Sequence, residues 1–238
     1  MDLFTLSIVF TGGIGIGIFA VVMGGTLFLS LPLFQFLFPE MALAAIIGTI
    51  KLGSIFRNTA ALIPLYKQLD WSVLRLAPIL CAGSLLGSWQ VVSITPAIVP
   101  FVLVLGLLAH EYGGKIPLPK SLFIVIAFLV GFYGGIFGAG IMLLLLSLLK
   151  VRLGALVDAR ANALLLELLL SLTAVITFWY LNYINWNLAF VWTAGSIIGG
   201  VLGGMIIKRT GKWPVDTQNL LIRVAFVIAL VVAMGRLL

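Results

Sequence analysis

Six ionisable residues stand inside long apolar stretches of this chain: Lys51, Arg57, Asp158, Arg160, Glu167 and Arg223. A charge at the centre of a membrane helix costs about 2.5–3.5 kcal/mol on insertion scales, so its first reading is functional. Lys51 lies near the middle of residues 40–66, and Glu167 near the middle of 154–181. A central ammonium attracts an anion, and a central carboxyl can carry a proton. Helical spacing sorts the neighbours. Gly48, Lys51, Ser54 and Asn58 share one stripe, and Arg160, Glu167 and Ser171 share another. The two stripes are expected to meet. Asn162 is off its stripe but within reach of the cytoplasmic end.

Glycine breaks supply the other half of an anion site. Helices restarting after Gly24-Gly25-Thr26 and after Gly138-Ala139-Gly140 present free N–H groups and a partial positive charge. The candidate binding set is Gly24, Gly25, Thr26, Thr49, Lys51, Ser54, Asn58, Gly138, Gly140, Arg160 and Asn162, with Glu167 as the coupling group. Plainer readings stay open. The glycines, Gly12 to Gly17 above all, are also helix-packing residues. Lys51 and Glu167 also fit a structural ion pair. Arg57 fits snorkelling or pairing with a loop carboxylate, Arg160 fits snorkelling, and Arg223 fits an interface anchor.

The elements that must position these residues are membrane helices. Hydrophobic residues make up 63% of the 238 and charged residues 9%, against about 45–50% and about 25% in soluble domains. Mean hydropathy is +1.27. Only structures that satisfy their own backbone survive in lipid, and the alternating pattern of a β-barrel is missing. The net charge of +7 sits mostly in short loops, so it signals topology and not nucleic acid. The one cysteine, Cys81, excludes an intrachain disulfide and reads as a small buried hydrophobe. His110 is the one histidine, too few for a metal site. No nucleophile–base pair is visible, so neither an enzyme nor a cofactor is expected. The start, Met1-Asp2-Leu3, lacks a positive region and reads as a retained membrane segment. Trp71, Trp186 and Trp213 read as interface residues.

The chain divides near Gly113 into two similar halves, 1–112 and 113–238. Each opens with a Gly-interrupted stretch (3–38 and 120–150) and continues with a long polar-striped helix. Each then turns at Trp71 or Trp186 and ends with spaced glycines, Gly83 and Gly87 or Gly199 and Gly203. The offset of about 116 residues also relates Lys51 to Glu167, the mark of a transporter repeat. Further apolar stretches are 96–110 and 216–237. A straight helix over 3–38 would be about 54 Å long in a core of about 30 Å, so it must break or fold back. If each Gly-rich stretch crosses once, five basic residues face five. The expected arrangement is that each returns to its starting side as a re-entrant hairpin, so that each half has three transmembrane helices and the two halves are inverted repeats. Lys67, Arg75, Lys115, Lys120, Lys150, Arg152, Lys208, Arg209 and Lys212 then share one side, and Arg236 alone takes the other. The basic side is then cytoplasmic and both termini external. Re-entrant hairpins and double crossings give the same sidedness.

The residues also carry a family resemblance. The run Gly131-Phe132-Tyr133-Gly134-Gly135-Ile136-Phe137-Gly138-Ala139-Gly140 resembles the Gly-Phe-x-x-Gly-x-x-Gly-x-Gly motif of the TauE/SafE sulfite exporters. Gly24-Gly25-Thr26 with Leu31-Pro32-Leu33 is similar to that family's first glycine run. Gly48-Thr49-Ile50-Lys51-Leu52 is similar to its Ala-Thr-Asn-Lys-Leu motif. Ile50 departs from the Asn, and Leu164 and Glu167 stand at positions resembling the family's second Lys and Asn. The resemblance implies a cell-membrane (plasma or inner membrane) exporter of sulfite or small organosulfonates. Its partners would be the anion and the lipid bilayer, with homodimerisation left open. A proton- or cation-linked carrier using Glu167 and a non-transporting membrane scaffold are the other classes.

Overall fold

The computed structural model describes residues 2–24, 26–91, 104, 120–153, 156–210, 217, 220, 223, 224, 227 and 231. Gly25, His110, Lys115, Lys212, Trp213, Arg236 and the division at 112/113 lie outside them. So do most of 96–110 and 216–237. Among the described residues there are eight α-helices and no strand. Helix α1 covers Leu3–Met23, α2 Thr26–Leu37 and α3 Leu43–Leu62. A 3-10 turn, Ile63–Gln68, extends α3, and a second, Trp71–Leu76, leads into α4, Ala77–Trp89. Helix α5 covers Lys120–Ile136, α6 Ile141–Leu153, α7 Leu156–Tyr180 and α8 Trp186–Thr210.

Five segments are long and apolar enough to cross a bilayer: Leu3–Val22, Leu43–Gln68, Trp71–Trp89, Asp158–Tyr180 and Trp186–Thr210. The chain is therefore a multi-pass helical membrane protein. Helices α2 and α6, with 12 and 13 residues, reach only about 18 and 20 Å and are too short to cross.

Both Gly-rich stretches break where expected. Gly24, Gly138 and Gly140 have φ of 83°, 65° and 71°. Residues with a Cβ lose about 1–2 kcal/mol there. Leu33 of α2 lies so close to α1 that its Cδ2 would be 2.7 Å from a Cβ on Gly12.

Glycines also set the helix packing. Helix α1 runs along α8: a Cβ on Gly17 would lie 3.2 Å from the Gly199 Cα, and one on Gly13 2.8 Å from the Trp192 carbonyl oxygen. Helix α5 runs along α4, where Gly83 and Gly87 meet the Phe128 and Phe132 carbonyls, and Gly131 and Gly135 meet those of Leu80 and Ser84. Small residues let backbones touch, which is the main route to close packing where lipid removes the hydrophobic drive. Trp192 is wholly buried, edge-on to Phe34 with ring centroids 5.2 Å apart, and stacked over Gly53. Trp71 and Trp186 are exposed. Cys81, expected to be buried, is only half-buried among the described residues.

Helix α3 lies between α7 and α8 and runs antiparallel to α7. Gly48 abuts Phe178, and further along Arg57 meets Glu167. Polar clasps mark the two ends of this bundle. At one, Thr49 Oγ1 accepts from the Asn185 amide at 3.0 Å. At the other, Asn162 holds the chain between the two 3-10 turns. Its Oδ1 accepts from the Asp70 amide at 2.9 Å, and its Nδ2 donates to the Gln68 carbonyl at 3.3 Å. Gly204 of α8 packs on Ala61 and Pro64 at that same end.

Candidate functional site

The middle of α3 meets both glycine breaks and the middle of α7. Four of its polar residues, Lys51, Ser54, Arg57 and Asn58, are buried. Lys51 is 4% exposed, and its Nζ donates to the Gly134 carbonyl oxygen at 2.5 Å. That carbonyl belongs to the last turn of α5, where the helix carries its partial negative charge. Lys51 therefore sits at the C-terminal end of the first half-helix, and not at the N-terminus of the second. The turn is tight around it. Phe137 and Gly138 amides both donate to the Tyr133 carbonyl, and the Tyr133 hydroxyl donates to the Ala139 carbonyl at 2.7 Å. A Cβ on Gly138 would lie 2.5 Å from Lys51 Nζ, so any larger residue there displaces the ammonium.

The structural ion pair open to Lys51 and Glu167 is made instead by Arg57. Arg57 is 1% exposed, and its Nη2 lies 2.9 Å from Glu167 Oε1. It neither snorkels nor reaches a loop carboxylate. Facing helices, not sequence spacing, decide this: Glu167 of α7 meets α3 at Arg57, six residues or about 9 Å beyond Lys51. Arg57 Nε and Nη2 also donate to Asn58 Oδ1 at 3.0 and 2.8 Å, and Nη1 donates to Thr26 Oγ1. Thr26 is the first residue of α2, so the guanidinium ties the first break to α3 and α7. Lys51 lies within electrostatic range of both members of the pair. Two buried polar atoms of the cluster, Asn58 Nδ2 and Glu167 Oε2, have no hydrogen-bond partner among the described residues. One is a donor and the other an acceptor.

The two breaks approach each other as well. A Cβ on Gly24 would lie 3.2 Å from Met142 Cβ and 3.1 Å from Leu143 Cγ, both in the first turn of α6. Thus Gly24, Thr26, Lys51, Ser54, Asn58, Gly138 and Glu167 gather in one buried region, with Gly140 opening α6 beside it.

Other candidate residues stand elsewhere. Thr49 is occupied at the bundle end, donating to the Ala45 carbonyl and accepting from the Asn185 amide. Asn162 is occupied at the opposite end, and its Nδ2 also donates to the Asp158 carbonyl. Arg160 is on the Glu167 face, seven residues or about 10.5 Å earlier along α7. It is 4% exposed, and its Nε has no partner among the described residues. Gly25 lies outside the described residues.

Sequence reasoning missed Arg57 as a member of the centre. The available signal was its position inside a candidate span, six residues after Lys51, where a charge is a functional candidate by default. It also had no way to find the Gly134 carbonyl, since every helical residue has one.

The arrangement is a buried, net-cationic centre where the two glycine breaks meet. Among the described residues no group of three or more metal-ligating side chains occurs. No curated protein and no solved structure matches the chain. The family model described as sulfite exporter TauE/SafE matches residues 9–237, nearly the whole length. The chain therefore belongs to the TauE/SafE family of membrane sulfite exporters.

Proposed function

We infer that the chain exports a small sulfur oxyanion, sulfite or a small organosulfonate, by alternating access between two inverted halves. The observation that carries this reading is the burial of Lys51 and Arg57 with one carboxylate, where both glycine breaks meet. A buried centre with excess positive charge is costly unless an anion completes it. Lys51, Asn58, Ser54 and Thr26 are the proposed anion contacts, with Arg57 joining them. Gly138 makes room for the ammonium. Thr49 and Asn162 hold the framework.

Inversion draws support from the ends of the bundle. Helix α1 runs parallel to α8, and α8 finishes beside the Ile63–Gln68 turn. Helix α3 starts at the opposite end, near Asn185, so 3–42 leaves and returns to one side. Helix α5 runs parallel to α4, and both begin at the Asp70 end. Helix α7 begins there too, held by Asn162, so 120–155 also returns to its starting side. Lys67, Arg75, Lys208 and Arg209 then share the Asp70 end, which we assign to the cytoplasm. An inside-negative potential moves a monovalent anion outward by about 2.3 kcal/mol per 100 mV, so export proceeds without a coupling ion.

The test is ligand-dependent thermal stabilisation of the purified protein with sulfite, sulfate, thiosulfate and small sulfonates. A ligand that binds only the folded state raises stability with concentration. Stabilisation by an anion in wild type, lost in Lys51→Ala, is the expected result. No stabilisation by any of them would turn the reading toward a cation-linked carrier centred on Glu167.

A further inference from the structure

Three charges sit together in the centre: Lys51 and Arg57 from α3 and Glu167 from α7. In their ordinary charge states they sum to one positive charge. Arg160, about 10.5 Å along α7, is the next buried charge among the described residues. We propose that Glu167 is a specificity-determining residue: by cancelling one of two cations, it makes the centre complementary to a singly charged anion and unfavourable to a doubly charged one. This deepens the transport reading above and rests on it.

Charge balance decides the preference, because all three side chains are buried. Interactions between charges are several times stronger in a buried site than in water, so each uncompensated charge is costly. A monoanion brings the three-charge centre to neutrality, whereas a dianion leaves one excess negative charge. Geometry keeps the acid in place for this role. Glu167 Oε1 is held by Arg57 Nη2 at 2.9 Å, and Oε2 is buried with no partner among the described residues. Asn58 uses its oxygen on Arg57, which leaves Nδ2 as a buried donor for an anion oxygen. An arriving anion thus meets donors from Lys51 and Asn58 and a fixed negative charge from Glu167. Discrimination by a repelling group is a common way to gain specificity.

The experiment reconstitutes the full chain in proteoliposomes and compares initial rates for methanesulfonate, a monoanion, and thiosulfate, a dianion, at pH 7.5. Wild type is expected to favour methanesulfonate. Glu167→Gln raises the centre to two positive charges and should move the rate ratio at least tenfold toward thiosulfate. The double variant Arg57→Gln/Glu167→Gln returns the sum to one and should restore the preference for methanesulfonate. A ratio that Glu167→Gln leaves unmoved, or a double variant that behaves like Glu167→Gln, overturns the charge assignment alone. Wild type that carries neither anion overturns the transport reading beneath it.

Discussion

Breaking the Arg57–Glu167 pair is the sharpest probe of the centre. Both side chains are buried, at 1% and 8% exposure, with nitrogen and oxygen 2.9 Å apart. Unit charges about 4 Å apart interact by about 4 kcal/mol at an effective dielectric near 20. Desolvating each ion costs several kcal/mol, so the pair itself adds little net stability. Removing one member is different, because the survivor stays buried without its partner. Arg57→Gln and Glu167→Gln should each destabilise by about 3–5 kcal/mol. The double variant leaves two neutral amides that can still hydrogen-bond, and should fall well short of the sum. The coupling from such a cycle should exceed about 2 kcal/mol, within the range seen for contacting residues. The assay is reversible unfolding in mixed micelles, titrated with denaturing detergent, on wild type and the three variants. Additive single effects, with coupling under about 0.5 kcal/mol, would refute the idea that these charges meet in a dry interior.

Other consequences follow from the same contacts. Gly138→Ala should lose about 1–2 kcal/mol for its positive φ and should weaken anion-dependent stabilisation, because the Lys51 ammonium is pushed aside; unchanged anion response would contradict that placement. Thr49→Val should cost about 1 kcal/mol through the lost Asn185 clasp yet leave anion stabilisation intact, unlike Lys51→Ala. Asn162→Ala should speed hydrogen exchange at the Asp70 amide, with a cost of about 1–3 kcal/mol, and mass spectrometry of exchanged peptides reads both. Gly15→Ala should be neutral or stabilise by up to about 1 kcal/mol, since nothing lies within 4 Å of its Cβ. Gly83→Ala, facing the Phe128 carbonyl, should destabilise by about 1–3 kcal/mol in the same unfolding assay.

The amino-acid sequence by itself determined the solvent, the elements and their breaks. Apolar composition demands helices in lipid, and each helix is a local structure whose limits follow from glycine, proline and polar turns. The bends at Gly24 and Gly138–Gly140, the turns at Trp71 and Trp186, and the isolation of Lys51 and Glu167 are all properties of short segments. Family membership was legible too, because the glycine motif at 131–140 is a contiguous string. What tertiary structure decided was partnership. Lys51 and Glu167 share a register at about 116 residues, yet Glu167 bonds Arg57, and Lys51 bonds a backbone carbonyl of α5. A stripe on a helix wheel says which residues share a face, not where along its length a second helix crosses. Lys51 and Arg57 are six residues apart on α3, about 9 Å along its axis, so where α7 crosses decides which cation meets Glu167. Thr49 and Asn162 are taken up by backbone amides instead: Thr49, about 3 Å along α3 from Lys51 but on another face, meets the Asn185 amide, and Asn162 meets the Asp70 amide.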